Sequence, residues 1–105
     1  MTIEDPRGRI DYEECGHGPT VVLAPGSCST GAAWRPIISH CGNRFRCVTT
    51  SLLGYGDTAE RRTAEDPSIA HEAEMLEAVI RRTGGPAHVV GHSFGGLVAL
   101  AVVLR

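Results

Sequence analysis

The feature that most constrains this 105-residue chain is the sequence GHSFG at positions 91–95, which joins two apolar segments. The segment before it, at 87–91, is short and β-branched and predicts a buried strand, whereas the segment from Phe94 onward predicts a helix. A serine held at a sharp strand-to-helix turn has a strained backbone, which costs about 1–3 kcal/mol. Side chains two residues to either side would collide across that turn, so glycine is needed at Gly91 and Gly95.

The predicted turn gives Ser93 a chemical role. It exposes the serine hydroxyl at the rim of the sheet and puts the N–H of Phe94 in the first turn of a helix, where it has no intrahelical acceptor. Such an N–H can donate to a developing oxyanion, assisted by the helix dipole. The pattern G-x-S-x-G is weak by itself because glycine-serine loops are common, and the alternative is a tight turn with an incidental serine.

The pattern of strands around this turn indicates a parallel sheet. Short strands are predicted near 2–4 and 9–14, on either side of a tight turn, DPRG. The apolar, β-branched run at 20–24 has no polar alternation and predicts a strand buried on both faces. The segment at 44–52 predicts the next strand, and 87–91 predicts another short buried strand.

Helices are predicted between these strands. The first covers 32–40, with three apolar side chains on its inner face: Trp34, Ile37 and Ile38. The second begins with Asp66 as N-cap and Pro67 at the first helical position, and it ends before the GGP at 84–86. The alternation predicts an α/β fold in three layers, with crossover helices on a mostly parallel sheet. Ligands bind at the carboxyl ends of such strands, where three loops should meet, those of Ser27, Tyr55 and Ser93.

Composition narrows the partners of the chain. A net charge of −2 gives no electrostatic argument for nucleic acid or membrane binding, and the absence of lysine excludes a Schiff base formed by this chain. The longest apolar run, at 97–104, is far shorter than the roughly 18 residues of a membrane-spanning helix. No export signal precedes the cysteines, so we expect reduced thiols and a cytoplasmic protein. The cysteines show no C-x-x-C spacing: Cys15, Cys28, Cys41 and Cys47.

Three segments together resemble the N-terminal part of the α/β-hydrolase-fold superfamily. VVLAPGSCSTGAAW resembles the strand, the loop that supplies one oxyanion donor and the first helix with its tryptophan. RCVTTSLLGYGDT resembles the next strand and its Gly-aromatic-Gly loop, and AHVVGHSFGGLVAL resembles the nucleophile elbow and its helix. The resemblance covers nearly the whole chain, and the joint spacing is far more specific than any single motif.

The resemblance implies a serine hydrolase. Ser93 is then the nucleophile, and the backbone N–H groups of Phe94 and Ser27 are the oxyanion donors, with the amide of Cys28 as an alternative to Ser27. Serine at this position favours esters, thioesters, amides or activated C–C bonds as small-molecule substrates. Haloalkanes and epoxides are disfavoured, because the family members that act on them use a carboxylate. No metal or organic cofactor is implied.

Two positions depart from the pattern of the family. Pro25 replaces the usual histidine of the oxyanion loop, although this leaves the Ser27 amide intact. In the family an aspartate often ends the fourth strand, whereas Ser51 stands at that position here. That aspartate is not the acid of the catalytic triad. Beside the site, we expect Cys28 to be a small buried filler, and Tyr55 either to line the pocket or to pack as a loop aromatic.

The general base and its acid are not identified within the chain. In this family both follow the nucleophile, and none of five histidines has a positional claim to be the base: His17, His40, His71, His88 and His92. His92 is expected to pack beside the turn. Residues 97–104 are predicted to belong to a helix that is apolar on all sides, and such a helix must be buried by other parts of the domain. Domains of this type commonly need about 200–250 residues.

These observations together predict the organisation of the chain. We expect residues 1–105 to be the N-terminal portion of a single α/β-hydrolase domain that is incomplete at its C-terminus, inactive alone and prone to self-association. The alternative is a non-catalytic binding or receptor-like member of the same fold, which would lack the acid and histidine downstream.

Overall fold

A computed structural model of the chain describes residues 1–41 and 43–105. The strands of the described part are β1 (Thr2–Asp5), β2 (Gly8–Asp11), β3 (Glu13–Cys15), β4 (Thr20–Ala24), β5 (Arg46–Thr49) and β6 (His88–Gly91). Its α-helices are α1 (Arg35–Cys41), α2 (Ala70–Arg82) and α3 (Phe94–Val103), and a 3-10 turn, Gly31–Trp34, leads into α1.

The sheet is mixed and mostly parallel, as the alternation of elements predicts. Its strand order is β3-β5-β4-β6, in which β4 runs parallel to both β5 and β6 while β3 runs antiparallel to β5. β1 and β2 form a separate hairpin, in which Asp5 pairs with Gly8 across the predicted tight turn. Gly8 has a φ of 136°, which a residue with a side chain rarely adopts.

Helices cover both faces of the sheet because its strands present apolar side chains on both sides. Val48 of β5 packs with the helices α2 and α3, whereas Cys47 and Thr49, its neighbours along the strand, face α1. The main core lies between the sheet and α2 with α3, and its fully buried members include Val22, Val48, Met75, Leu76, Val79 and Val98.

The strand predicted at 44–52 is shorter than expected. β5 ends at Thr49, although residues 50–53 are all buried. Their polar groups bond to side chains instead of to a neighbouring strand, since the N–H of Leu53 donates to Glu72 Oε2 at 3.2 Å. Glu72 is buried in α2, and this burial raises the pKa of its carboxyl. The predicted strand is therefore confirmed over 46–49 and wrong at both of its ends, 44–45 and 50–52.

The predicted start of α2 at Asp66 and Pro67 is wrong, because the helix begins at Ala70. The carboxylate of Asp66 accepts from the N–H of Ser68 at 3.4 Å and contacts His71 Nε2 at 2.8 Å. It therefore closes a local turn before the helix. The C-terminal end is as predicted: α2 ends at Arg82, and Gly84 has a φ of 86°.

The first helix also differs from its prediction. Residues 31–34 form a 3-10 turn, which has about three residues per turn instead of 3.6 and so rotates the side chains that follow. Ile38 lines a cavity beside the sheet, but Ile37 is exposed, so the predicted inner position of Ile37 is wrong.

The last helix leaves most of its apolar surface uncovered by the described residues. Only Gly95 and Val98 are buried, while Leu97, Leu100 and Val103 are 53%, 54% and 74% exposed. Self-association through this surface stays a prediction. Within the described part of the chain, no helix is both long and apolar enough to cross a bilayer.

Candidate active site

Ser93 occupies a strained backbone conformation between β6 and α3. Its φ of 56° and ψ of −122° lie in a region that L-residues rarely adopt, and it is the N-cap residue of α3. The sequence predicted strain at this residue, and the structure confirms that prediction. Among the described residues other than glycine, only Cys28 shares a positive φ with it.

The glycines around Ser93 are required by close backbone packing. A Cβ atom on Gly95 would lie closer than 3.0 Å to the carbonyl oxygens of Ala24 and Pro25, and one on Gly91 would lie as close to the Gly95 carbonyl. The N–H of His92 donates to the Ala24 carbonyl at 3.1 Å. The turn is therefore pressed against the carboxyl end of β4, where no side chain fits.

A stability measurement on the chain tests the strain at Ser93. Ser93→Gly should raise the free energy of unfolding by about 1 kcal/mol, because glycine removes a strain of about 1–3 kcal/mol at a smaller entropic cost. Ser93→Ala keeps a Cβ in the same conformation and should change it by no more than about 0.5 kcal/mol. Urea denaturation of the two variants measures the difference, and equal stabilities would show that Ser93 is not strained.

Ser93 is exposed, so its hydroxyl can be reached from the solvent. It makes no hydrogen bond with any residue that the structure describes. His92 is also exposed, and a Cβ atom on Gly26 would lie 3.2 Å from its Nδ1 and 3.3 Å from Ser93 Cβ. That these two adjacent side chains point apart stays a prediction.

The other histidines lie on elements away from Ser93. His88 begins β6, at the opposite end of that strand from the turn. His71 lies on α2 and contacts Asp66 and Arg7 Nη1, the latter at 2.9 Å. His17 lies in the loop after β3 and His40 in α1. Among the described residues, no histidine forms a hydrogen bond with Ser93 Oγ.

The loop after β4 borders Ser93 on one side. A Cβ atom on Gly26 would lie 3.3 Å from Ser93 Cβ, so the two loops touch. The N–H of Ser29 donates to the Gly26 carbonyl at 3.2 Å and closes a tight turn. The N–H groups of Ser27, Cys28 and Phe94 have no acceptor among the described residues.

Cys28 and Tyr55 complete the rim of the site. Cys28 is exposed, with a φ of 63°, so the prediction of a buried filler is wrong: the turn directs its side chain outward. Its Sγ lies 3.7 Å from the Tyr55 hydroxyl, and this hydrogen bond raises the pKa of Tyr55. Tyr55 also packs against the core, which confirms the alternative of a packed loop aromatic, while its role in lining a pocket stays a prediction. The three predicted loops do meet at one edge of the sheet.

Asp11 is a supporting residue that the sequence analysis missed. Ser51 Oγ donates to Asp11 Oδ2 at 2.7 Å and accepts from the N–H of Gly31 at 3.1 Å. Thr58 Oγ1 accepts from the N–H of Asp11 at 2.9 Å. Ser51 thus links a carboxylate from β2 to the end of the loop that carries Ser27. The sequence held one signal for Asp11, which is the serine at position 51 where the family often has aspartate. A carboxylate missing at that position suggests that another residue of the fold supplies one.

A metal centre is not evident in this part of the molecule. In residues 1–41 and 43–105, no group of three or more His, Cys, Asp or Glu side chains is arranged to hold a metal ion.

The fold and the turn at Ser93 define the class of the chain. The family model described as "Alpha/beta hydrolase family" matches residues 21–105, and the chain belongs to this family. A crystal structure of an alpha/beta hydrolase from Sphaerobacter thermophilus superimposes with a TM-score of 0.86 at 31% identity. The match covers 97% of this chain and 39% of that one.

Curated relatives have different activities. Haloalkane dehalogenase 2 of Mycobacterium tuberculosis is 30% identical over 97% of this chain and 36% of its own length. The pimeloyl-[acyl-carrier protein] methyl ester esterase of Aliivibrio salmonicida is 33% identical over 85% of this chain and 32% of its own length. The chain therefore spans about a third of the length of these two relatives, and both of them are hydrolases.

Proposed function

We propose that this chain carries the nucleophile and the oxyanion hole of a serine hydrolase that cleaves esters or related acyl compounds. The observation that carries the proposal is the strained conformation of Ser93, an exposed residue beside a second loop, whose hydroxyl makes no hydrogen bond with the described residues. Strain of this kind persists at functional sites because the surrounding structure imposes it.

The reaction begins when Ser93 Oγ attacks the carbonyl carbon of the substrate. The carbonyl oxygen becomes an oxyanion, which accepts hydrogen bonds from the amides of Phe94 and Ser27. Collapse of this intermediate expels the alcohol and leaves an acyl group on Ser93. Water then attacks the acyl-enzyme through a second tetrahedral intermediate, releases the acid and restores the hydroxyl.

A serine hydroxyl requires a general base, and the base requires an orienting acid. Since no described histidine forms a hydrogen bond with Ser93 Oγ, we assign both groups to a part of the domain outside residues 1–105. The chain is then the N-terminal portion of one domain, consistent with its coverage of about a third of the relatives. On this proposal the 105-residue chain alone is inactive.

The serine at position 93 favours one of the activities of the relatives. Dehalogenation in this family uses a carboxylate at the position of Ser93, and a serine there matches ester cleavage instead. The methyl ester esterase relative supports this assignment. A thioester, an amide or an activated C–C bond would react by the same steps.

Labelling with a fluorophosphonate tests the nucleophile directly in the complete domain. The probe should phosphonylate Ser93, and digestion followed by mass spectrometry should place the label on that residue. Ser93→Ala should abolish labelling, while Ser29→Ala, a change in the adjacent loop, should leave it intact. A label on another serine contradicts the assignment, and a folded domain that takes no label would be a non-catalytic binding member of the fold.

The oxyanion role of Ser27 has its own test in the complete domain. Ser27→Pro removes one N–H and should lower kcat by about 10²–10³, the cost of losing one oxyanion donor. Ser27→Ala keeps the N–H and removes only the side chain, so it should retain most of the activity. Steady-state assays on a p-nitrophenyl ester compare the two. If the two variants were equally active, the second oxyanion donor would be the amide of Cys28 and not that of Ser27.

A further inference from the structure

Two cysteines face each other across an antiparallel strand pair, remote from Ser93. β3 pairs with β5 in a register that places Cys15 directly opposite Cys47. Both belong to the same face of the sheet, since Cys15 and Cys47 line one cavity of about 540 Å³ together with Ile38 of α1. The two cysteines are therefore neighbours on one face of the sheet and border the same cavity.

The spacing of opposed strand residues is close to that of a disulfide. Their Cβ atoms are about 4.5–5.5 Å apart in antiparallel pairs, and a disulfide requires about 3.5–4.5 Å. β3 can supply this movement of about 1 Å, because it is an edge strand of three residues whose side chains are all exposed. Both cysteines are free thiols in the structure.

The two thiols differ in environment. Cys15 is exposed and can meet an oxidant in solution, whereas Cys47 is only 4% exposed. Burial, together with the nearby thiols of Cys15 and Cys41, raises the pKa of Cys47. The Cys47 thiol therefore stays protonated to a higher pH than an ordinary cysteine, and it is shielded from the solvent. Oxidation accordingly begins at Cys15.

We propose that Cys15 and Cys47 form a reversible cross-strand disulfide when the protein meets a peroxide. The Cys15 thiolate attacks one peroxide oxygen, takes that oxygen as a sulfenic acid and releases the other as water. Cys47 then attacks the oxidised sulfur, and the displaced hydroxide leaves as water with the Cys47 proton. Two thiols and one hydrogen peroxide give one disulfide and two waters, and a small thiol reductant reverses the change.

The double variant Cys28→Ser/Cys41→Ser, which keeps only the proposed pair, tests the link. Hydrogen peroxide should remove both free thiols within single chains, with the loss of two hydrogen atoms by mass spectrometry and full recovery after reduction. The matched variant Cys15→Ser/Cys47→Ser keeps the other two cysteines and should form no such link. Concentrated guanidinium chloride should slow closure of the proposed pair by about tenfold or more, because the fold holds the thiols together.

Peptide mapping of the unsubstituted chain provides a second measurement. Cleavage after Leu23, Trp34 and Arg46 by trypsin and chymotrypsin separates the four cysteines, so a peptide joining Cys15 to Cys47 identifies the bond. The proposal is overturned if both thiols survive peroxide, if links form only between chains, if another pair is joined, or if guanidinium leaves the rate unchanged. None of these readouts depends on Ser93, so failure here is distinct from failure of the hydrolase assignment.

Discussion

Ser93→Ala in the complete domain should lower kcat for a p-nitrophenyl ester by roughly 10⁴- to 10⁶-fold, the effect of removing the nucleophile from an assembled triad. The reason is that no acyl-enzyme can form without the Oγ atom, so only the oxyanion donors and substrate binding remain. KM should change little, because the hydroxyl contributes mainly after attack begins. Steady-state kinetics and acyl-enzyme trapping measure both quantities.

The control for this prediction is Ser29→Ala, which removes a hydroxyl from the loop beside the site. Its activity should stay close to that of the unsubstituted domain. Circular dichroism and urea denaturation should show Ser93→Ala folded with nearly unchanged stability, since alanine keeps the same backbone conformation. Substantial turnover by folded Ser93→Ala would require another nucleophile and would refute the proposed mechanism.

Gly95→Ala should destabilise the chain by about 3 kcal/mol or more, at the upper end of the range for overpacked cores. The new methyl group would lie closer than 3.0 Å to the carbonyl oxygens of Ala24 and Pro25. These are backbone atoms at the end of a central strand, so relief requires α3 to move away from β4. Such a loss is a large fraction of the roughly 5–15 kcal/mol by which a domain is stable, so the variant should unfold at a much lower urea concentration.

Gly96→Ala is the matched control, one residue further along the same helix. Its Cβ would meet only the Gly91 carbonyl at 3.4 Å, an ordinary contact, and alanine favours a helix over glycine by about 1 kcal/mol. Urea denaturation should therefore separate the two variants by several kcal/mol. If both variants unfolded at the same urea concentration, close packing at Gly95 would not be what the turn requires.

Much of the scaffold follows from short patterns in the sequence. The apolar runs of β4 and β6 lie in a parallel sheet, and the spacing of Gly91 and Gly95 around Ser93 gives the strained turn. These predictions succeed because they depend on local sterics and on burial, both of which are encoded within a few residues. The end of α2 at Arg82 is predictable for the same reason.

Other features depend on competition between alternative partners, some near in sequence and some distant. Asp66 is a good N-cap by type, but its carboxylate contacts His71 instead and α2 begins later. Cys28 is exposed because a positive φ turns it outward toward Tyr55. Neither outcome follows from residue type, since each depends on which groups the folded chain brings within reach.

By itself, the sequence determined the α/β architecture of this chain and the serine turn between β6 and α3. Both follow from periodicity, burial and glycine spacing, which act over a few residues. Only the tertiary structure decided which groups meet: Gly26 against Ser93, Asp11 beside Ser51, and Cys15 opposite Cys47. Strand register and loop contacts are collective properties of the packed sheet. A shift of one residue would separate each pair without changing any local pattern.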